Sequence, residues 1–174
     1  KAIKPNQNIR NIGEQFQKGE ILLKQGTLLT PAALGVLSTI GVEKVKVYKK
    51  PKLALLVTGN ELVSPGKPLE FGQVYESNSI PIKALLNRMG YQCQVIYIPD
   101  DYKMTLSLID QATAENDMIL LSGGISVGDY DFVGKALIEL GIEPLFYKVR
   151  QRPGKPLFFG KKKNTVFFAL PGNP

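Results

Sequence analysis

The sequence predicts an α/β fold: a mostly parallel sheet with helices on both faces, preceded by the tail of a β-rich domain. Three observations point there. From Lys52 onward, short apolar runs alternate with stretches whose apolar residues recur at helical spacing, the rhythm of βαβ units. Runs such as Met118–Leu121 are apolar throughout, as strands covered on both faces are. Polar, glycine-rich clusters follow the apolar runs, on the side where open parallel sheets bind ligands.

Residues 1–50 lack that rhythm. Glu20–Leu23 and Val45–Tyr48 read as short strands, and Thr30-Pro31 followed by an apolar run to Ile40 and Gly41 reads as a helix with an N-cap, proline in its first turn and a terminal glycine. Lys49-Lys50-Pro51-Lys52 is the expected linker, which makes 1–50 the end of one domain and 51–174 an α/β domain. In that domain Leu53–Val57 is a strand. Ile80, Ile82, Leu85, Leu86 and Met89 mark a helix closed by Gly90. A strand at Gln92–Ile98, a helix at about Lys103–Ala114, the strand Met118–Leu121 and a helix Phe132–Leu140 follow. Pro144–Val149 reads as a fourth strand, and Leu157–Phe159 and Val166–Leu170 flank a lysine-rich turn as a hairpin.

Composition removes several chemistries. The 174 residues include no histidine, which excludes a Ser–His–Asp triad, a histidine base and every His-ligated metal site. Cys93 is the one cysteine, so a thiolate metal cage and an intrachain disulfide are excluded, and a reducing, cytoplasmic setting is expected. No apolar stretch approaches the ~18–20 residues of a bilayer helix. The chain opens on Lys1 and ends just after a turn signal, so it reads as a fragment without a visible signal peptide. The net charge of +7 is concentrated between Pro144 and Pro174, where Lys148, Arg150, Arg152, Lys155, Lys161, Lys162 and Lys163 stand without an acid. The Lys161–Lys163 run is most simply a solvated hairpin turn. Nucleic acid is not expected as a partner, because the aromatic residues fall in predicted strands rather than alternating with basic ones on a face.

The segments after the strands hold the candidate chemistry. They are Thr58-Gly59-Asn60-Glu61, Pro99-Asp100-Asp101, the loop from Ser122 through Gly123, Gly124, Ser126 and Gly128 to Asp131, then Arg152-Pro153-Gly154-Lys155, and Pro171-Gly172-Asn173-Pro174. A glycine-rich turn between strand and helix can present backbone N–H groups to an anion, although this one matches neither the Walker loop nor the GxGxxG fingerprint. Glu61, Asp100, Asp129 and Asp131 share that edge, with Asp101 and Asp129 the best candidates for caps or surface residues only. Two like charges ~4 Å apart repel by about 4 kcal/mol at an effective dielectric near 20, so converging acids call for a proton, a base or a cation. An all-oxygen site without histidine or cysteine favours Mg²⁺. Lys148, Arg152 and Lys155 can offer a point charge or a bidentate fork to a phosphate or another oxyanion.

Five ordered motifs carry a resemblance: Thr58-Gly59-Asn60-Glu61-Leu62, Gly72-Gln73-Val74-Tyr75-Glu76-Ser77-Asn78, Ser122 to Asp131, Pro153-Gly154-Lys155-Pro156 and Leu170 to Pro174. Together they resemble the molybdopterin molybdenumtransferase family, related to the C-terminal part of gephyrin. The resemblance implies the molybdopterin-binding α/β fold after an elongated β-rich region, with a small β domain following. It implies Mg²⁺-dependent insertion of molybdate into adenylylated molybdopterin with release of AMP, in a homodimer. A non-catalytic pterin-binding or scaffold domain, or a molybdopterin adenylyltransferase, are the alternative readings. Carried over by motif, Glu61, Asp100 and Asp131 are the acids serving the metal and the scissile pyrophosphate. Lys148, Arg152 and Lys155 hold phosphate or molybdate, and Gly123, Gly124 and Ser126 cradle the pterin or its phosphate. Thr58, Gly59, Ser77, Asn78, Gly128, Pro171, Gly172 and Asn173 complete the expected ligand-binding set. The sequence departs from the family pattern at Asn60 and Gln15, where aspartate is usual, and at Arg152, where lysine is frequent.

Overall fold

The computed structural model describes residues 4–125, 132–152 and 154–172. The chain divides between Tyr48 and Lys49 into two compact units. In the first, α1 (Pro31–Thr39) forms where its signals predict. Thr30 caps it by accepting from the Ala33 amide at 3.3 Å, and Pro31 occupies the first turn. The strands expected at 20–23 and 45–48 are not formed. A strand exists through its ladder, and neither segment pairs with another strand among the described residues. Tyr48 is engaged instead through its hydroxyl, which accepts from Gln25 Nε2 at 2.7 Å.

The second unit follows the expected alternation: β1 (Leu53–Thr58), β2 (Leu62–Val63), β3 (Val74–Tyr75), α2 (Ser79–Arg88), β4 (Cys93–Ile98), α3 (Tyr102–Glu115), β5 (Met118–Ser122), α4 (Phe132–Glu139), β6 (Glu143–Tyr147), β7 (Phe158–Lys162) and β8 (Thr165–Leu170). Six strands form one sheet in the order β4-β1-β5-β8-β7-β6, while β2 and β3 make a separate parallel pair. The first three junctions of the large sheet are parallel and the last two antiparallel. Two successive reversals return β6 to the direction of β1, β4, β5 and β8, leaving β7 as the strand that opposes the rest.

The fourth strand therefore runs in the direction the sequence suggested but occupies a different place. It pairs with β7 at the outer edge instead of joining the parallel ladder, and β8 takes the central position beside β5. Edge status explains why every residue of β6 is exposed while all six of β1 are buried.

Alternation sorts the core into two layers. Ala54 and Leu56 of β1, Ile119 and Leu121 of β5, and Phe167 and Ala169 of β8 pack with Ile109 and Ala112 of α3 and Val133, Ala136 and Leu137 of α4. On the opposite face Leu53, Leu55 and Val57 meet Ile82 and Leu86 of α2, with Cys93 alongside. Burial pushes the Cys93 thiol up, against a smaller opposite pull from the Lys83 charge. Each fully buried aliphatic side chain contributes about 1.5–3 kcal/mol of transfer free energy. That burial holds the strand ends rigidly enough to carry a site on the connecting turns. Among the described residues no helix is long and apolar enough to cross a membrane.

Candidate functional site

Parallel strands place their carboxyl ends on one rim, and the turns beyond them wall a cavity of about 1020 Å³. Thr58, Gly59 and Glu61 come from the end of β1, Asp100 from β4, Ser122 to Ile125 from β5, and Pro171 and Gly172 from β8. Ser77 and Asn78, ahead of α2, close one side. Gly154 and Pro156 arrive from the β6–β7 loop, which the direction of β6 delivers to the same rim.

Local hydrogen bonds fix these turns. Asn60 and Asp100 bind reciprocally: the Asn60 amide donates to Asp100 Oδ2 at 2.9 Å and the Asp100 amide to Asn60 Oδ1 at 3.1 Å, tying the β1 turn to the β4 turn. At Asn60, where the family usually has aspartate, the amide side chain thus serves as a structural acceptor. Asp101 has the capping role expected of it, accepting from the Met104 amide at 2.8 Å at the start of α3.

Two glycines are required at the rim, Gly59 by its backbone angle and Gly123 by close approach as well. Gly59 has φ +134°, and a Cβ there would stand 2.6 Å from a carboxylate oxygen of Glu61, which folds back over the turn. Gly123 has φ +89°, and a Cβ would lie 2.9 Å from the Thr58 carbonyl oxygen. Its glycine character brings the end of β5 against the end of β1, and its amide donates to the Leu170 carbonyl of β8 at 3.2 Å.

Asn78 has a more structural part than expected. It is the N-cap of α2 but makes no side-chain capping bond. Its Nδ2 donates to Ser122 Oγ at 2.9 Å and to the Gly172 carbonyl at 2.8 Å, joining the start of α2 to the ends of β5 and β8. Capping falls to Glu76. Its Oε1 accepts from the Asn78 amide at 2.8 Å and the Ser79 amide at 2.7 Å, and its Oε2 accepts from the Ser79 hydroxyl. A carboxylate at a helix N-terminus is favoured by the exposed amides and the helix dipole.

Of the expected residues, Thr58, Gly59, Glu61, Ser77, Asn78, Asp100, Gly123, Gly124, Pro171 and Gly172 line one cavity. Lys148, Arg152 and Lys155 are exposed and are not among its walls, although Lys155 lies between two residues that are. Lys148 adopts φ +67° and sets its ammonium over the Tyr147 ring at 5.0 Å. Ser126, Gly128, Asp129, Asp131 and Asn173 lie outside the described residues. Sequence reasoning assigned no site role to Tyr75 and Glu76, although both stand in one of the five motifs, nor to Phe132, and all three also line the cavity. Glu76 had a usable signal, an acid just ahead of a predicted helix.

Glu61 and Asp100 supply carboxylate oxygens to the same space, with one Asp100 oxygen committed to Asn60. Mg²⁺ takes one or two carboxylates with phosphate and water oxygens completing its shell, so the pair fits such a cation. Among the described residues no group of three acids or thiols is able to hold a metal by itself.

Comparison with known proteins bears on the fold and its family. The family model described as "probable molybdopterin binding domain" matches residues 54–174, and that of the "MoeA N-terminal region (domain I and II)" matches residues 1–41. The molybdopterin molybdenumtransferase of Haemophilus influenzae is 44% identical over 98% of this chain and 42% of its own length. A solved molybdopterin biosynthesis MoeA protein from Pyrococcus horikoshii superposes with a TM-score of 0.73 at 34% identity, over 93% of this chain and 40% of that one. The MoaB protein of Thermus thermophilus shares the fold, with a TM-score of 0.52 at 18% identity over 72% of this chain. The chain spans about two fifths of the length of the curated relatives it matches. With the model match running from residue 54 through every turn of the rim, this chain belongs to the molybdopterin-binding domain family.

Proposed function

We propose that the rim cavity binds adenylylated molybdopterin and serves molybdate insertion with release of AMP, as a step of molybdenum cofactor biosynthesis. The observation that carries this reading is the convergence of six separate segments on one cavity. Its volume sits at the upper end of the roughly 300–1,000 Å³ typical of ligand sites.

In this reading, the backbone around Gly123 and Gly124 faces the pterin or its phosphate. Gly59, Ser77, Asn78, Pro171 and Gly172 shape the rest of the pocket, with Ser126, Gly128 and Asn173 continuing the set. Glu61, Asp100 and Asp131 hold Mg²⁺, which when bound neutralises pyrophosphate charge. Lys148, Arg152 and Lys155 turn inward from the β6–β7 loop to hold phosphate or molybdate, as long flexible cationic side chains on a loop are able to do. Phosphoanhydride cleavage depends chiefly on positioning and charge neutralisation, and this residue set supplies both without histidine. The working unit is a cytoplasmic homodimer.

The test is AMP release from adenylylated molybdopterin by the complete protein, with and without Mg²⁺ and molybdate. Asp131→Asn is expected to slow release by about 100-fold or more, the order that follows loss of a preorganised electrostatic group. Unchanged release removes Asp131 from the mechanism. Pterin binding without any AMP release favours the non-catalytic scaffold reading, and ATP consumption favours an adenylyltransferase.

A further inference from the structure

Glu76 is 2% exposed, and no salt bridge holds it among the described residues. A buried carboxylate is tolerated when several donors converge on it. Here two backbone amides and a hydroxyl at the start of α2 do so. The consequence is felt at Asn78, two residues further on. Asparagine at an N-cap ordinarily spends its side chain on the first helical turn. Glu76 instead holds the Asn78 amide itself, while Pro81 offers an asparagine cap no N–H, and the Asn78 side chain reaches Ser122 and Gly172 through its Nδ2.

We propose that Glu76 is a positioning residue of the rim site, which sets the spacing of the Ser122–Gly124 and Pro171–Gly172 walls by fixing the Asn78 backbone from which the side chain bridges them. The role rests on the proposed function only for its consequence, since the coupling itself belongs to the ligand-free chain. Removing Glu76 leaves the Asn78 and Ser79 amides untied, and the bridge between the two walls loosens.

Amide hydrogen exchange on the ligand-free chain tests the coupling. Glu76→Ala is expected to speed exchange of the Gly123 amide by about 10-fold or more, with the central β1 amides unchanged, because local opening is read site by site. Asn78→Ala is expected to do the same, and the double variant to add nothing, the signature of one shared interaction. Should Glu76→Ala fail to fold, Glu76→Ser takes its place with the same expectation. Faster exchange confined to the first turn of α2, or additive effects of the two substitutions, would overturn the proposal and leave Glu76 a helix cap. In the complete protein, Glu76→Ala is expected to raise KM for adenylylated molybdopterin about 10-fold with kcat within about 3-fold, as loss of uniform binding does. An unchanged KM beside a loosened Gly123 also overturns the positioning role. Absence of AMP release from the unsubstituted protein instead defeats the proposed function and leaves the exchange result standing.

Discussion

The two halves of the sheet are built on different terms. In β4-β1-β5-β8 every neighbour is parallel, helices cover both faces, and all six residues of β1 are buried. In β7-β6 the chain turns back on itself without a helix, and the edge strand is exposed at every position. Aromatic stacking stands in for helical cover there. Phe159 packs on Phe168 at 4.6 Å between ring centroids and on Phe146 at 5.6 Å. Parallel pairing obliges the chain to cross over between strands, and that obligation gathers the strand ends, and hence the polar turns, on one rim. The hairpin half contributes a loop to that rim, including Gly154 and Pro156, while Lys148, Arg152 and Lys155 of that loop are exposed.

Substitution in the two halves tests the contrast most strongly. Leu121→Ala, at 0% exposure in the shared core, is expected to lower the unfolding free energy by about 2–5 kcal/mol in urea titration. Phe146→Ala, at 42% exposure on the edge, is expected to lower it by about 1 kcal/mol. Equal losses would erase the distinction. A smaller effect is expected at the rim cations. Lys155→Ala leaves urea stability within about 0.5 kcal/mol but weakens AMP binding by about 10-fold, measured calorimetrically at low salt, as loss of a charge-assisted contact does. Binding that ignores this change would confine the hairpin half to a structural part.

The smallest expected effect lies between the helices that cover one face. Tyr102 of α3 donates to Glu139 of α4, and this hydrogen bond, with some desolvation and the Glu139 charge, holds the phenol above its usual range. A raised pKa stabilises the fold fully below the unfolded value of about 10 and less as pH rises through the folded value. Thermal melts should therefore show extra alkaline loss in the natural chain that Tyr102→Phe removes. Identical alkaline profiles would deny the contact any weight.

Periodicity made most of the second unit legible, because a strand apolar on both faces and a helix with one apolar stripe leave distinct marks, as at Leu53–Val57 and Ile82–Met89. It did not reveal strand order. Nothing local in Glu143–Tyr147 says that β8 will take the place beside β5. The two-residue strands β2 and β3 are too short to carry a period and sit in a stretch rich in glycine and proline. In the first unit, residues 20–23 and 45–48 have strand-like composition, and composition alone does not supply a partner. For the site, motif position put Glu61, Asp100 and the glycine turns on one edge, and all of them line one cavity. It missed Glu76 because the role depends on which group caps α2, a geometric choice that the string Glu-Ser-Asn leaves open.

Chemical-shift perturbation of the isotope-labelled chain by AMP with Mg²⁺ tests the central claim most directly. Shifts are expected at Gly59, Glu61, Asp100, Gly123, Gly124 and Gly172, drawn from four turns at once. Shifts confined to the opposite strand ends, around Lys52 and Gln92, or an unperturbed spectrum at millimolar AMP, would contradict it.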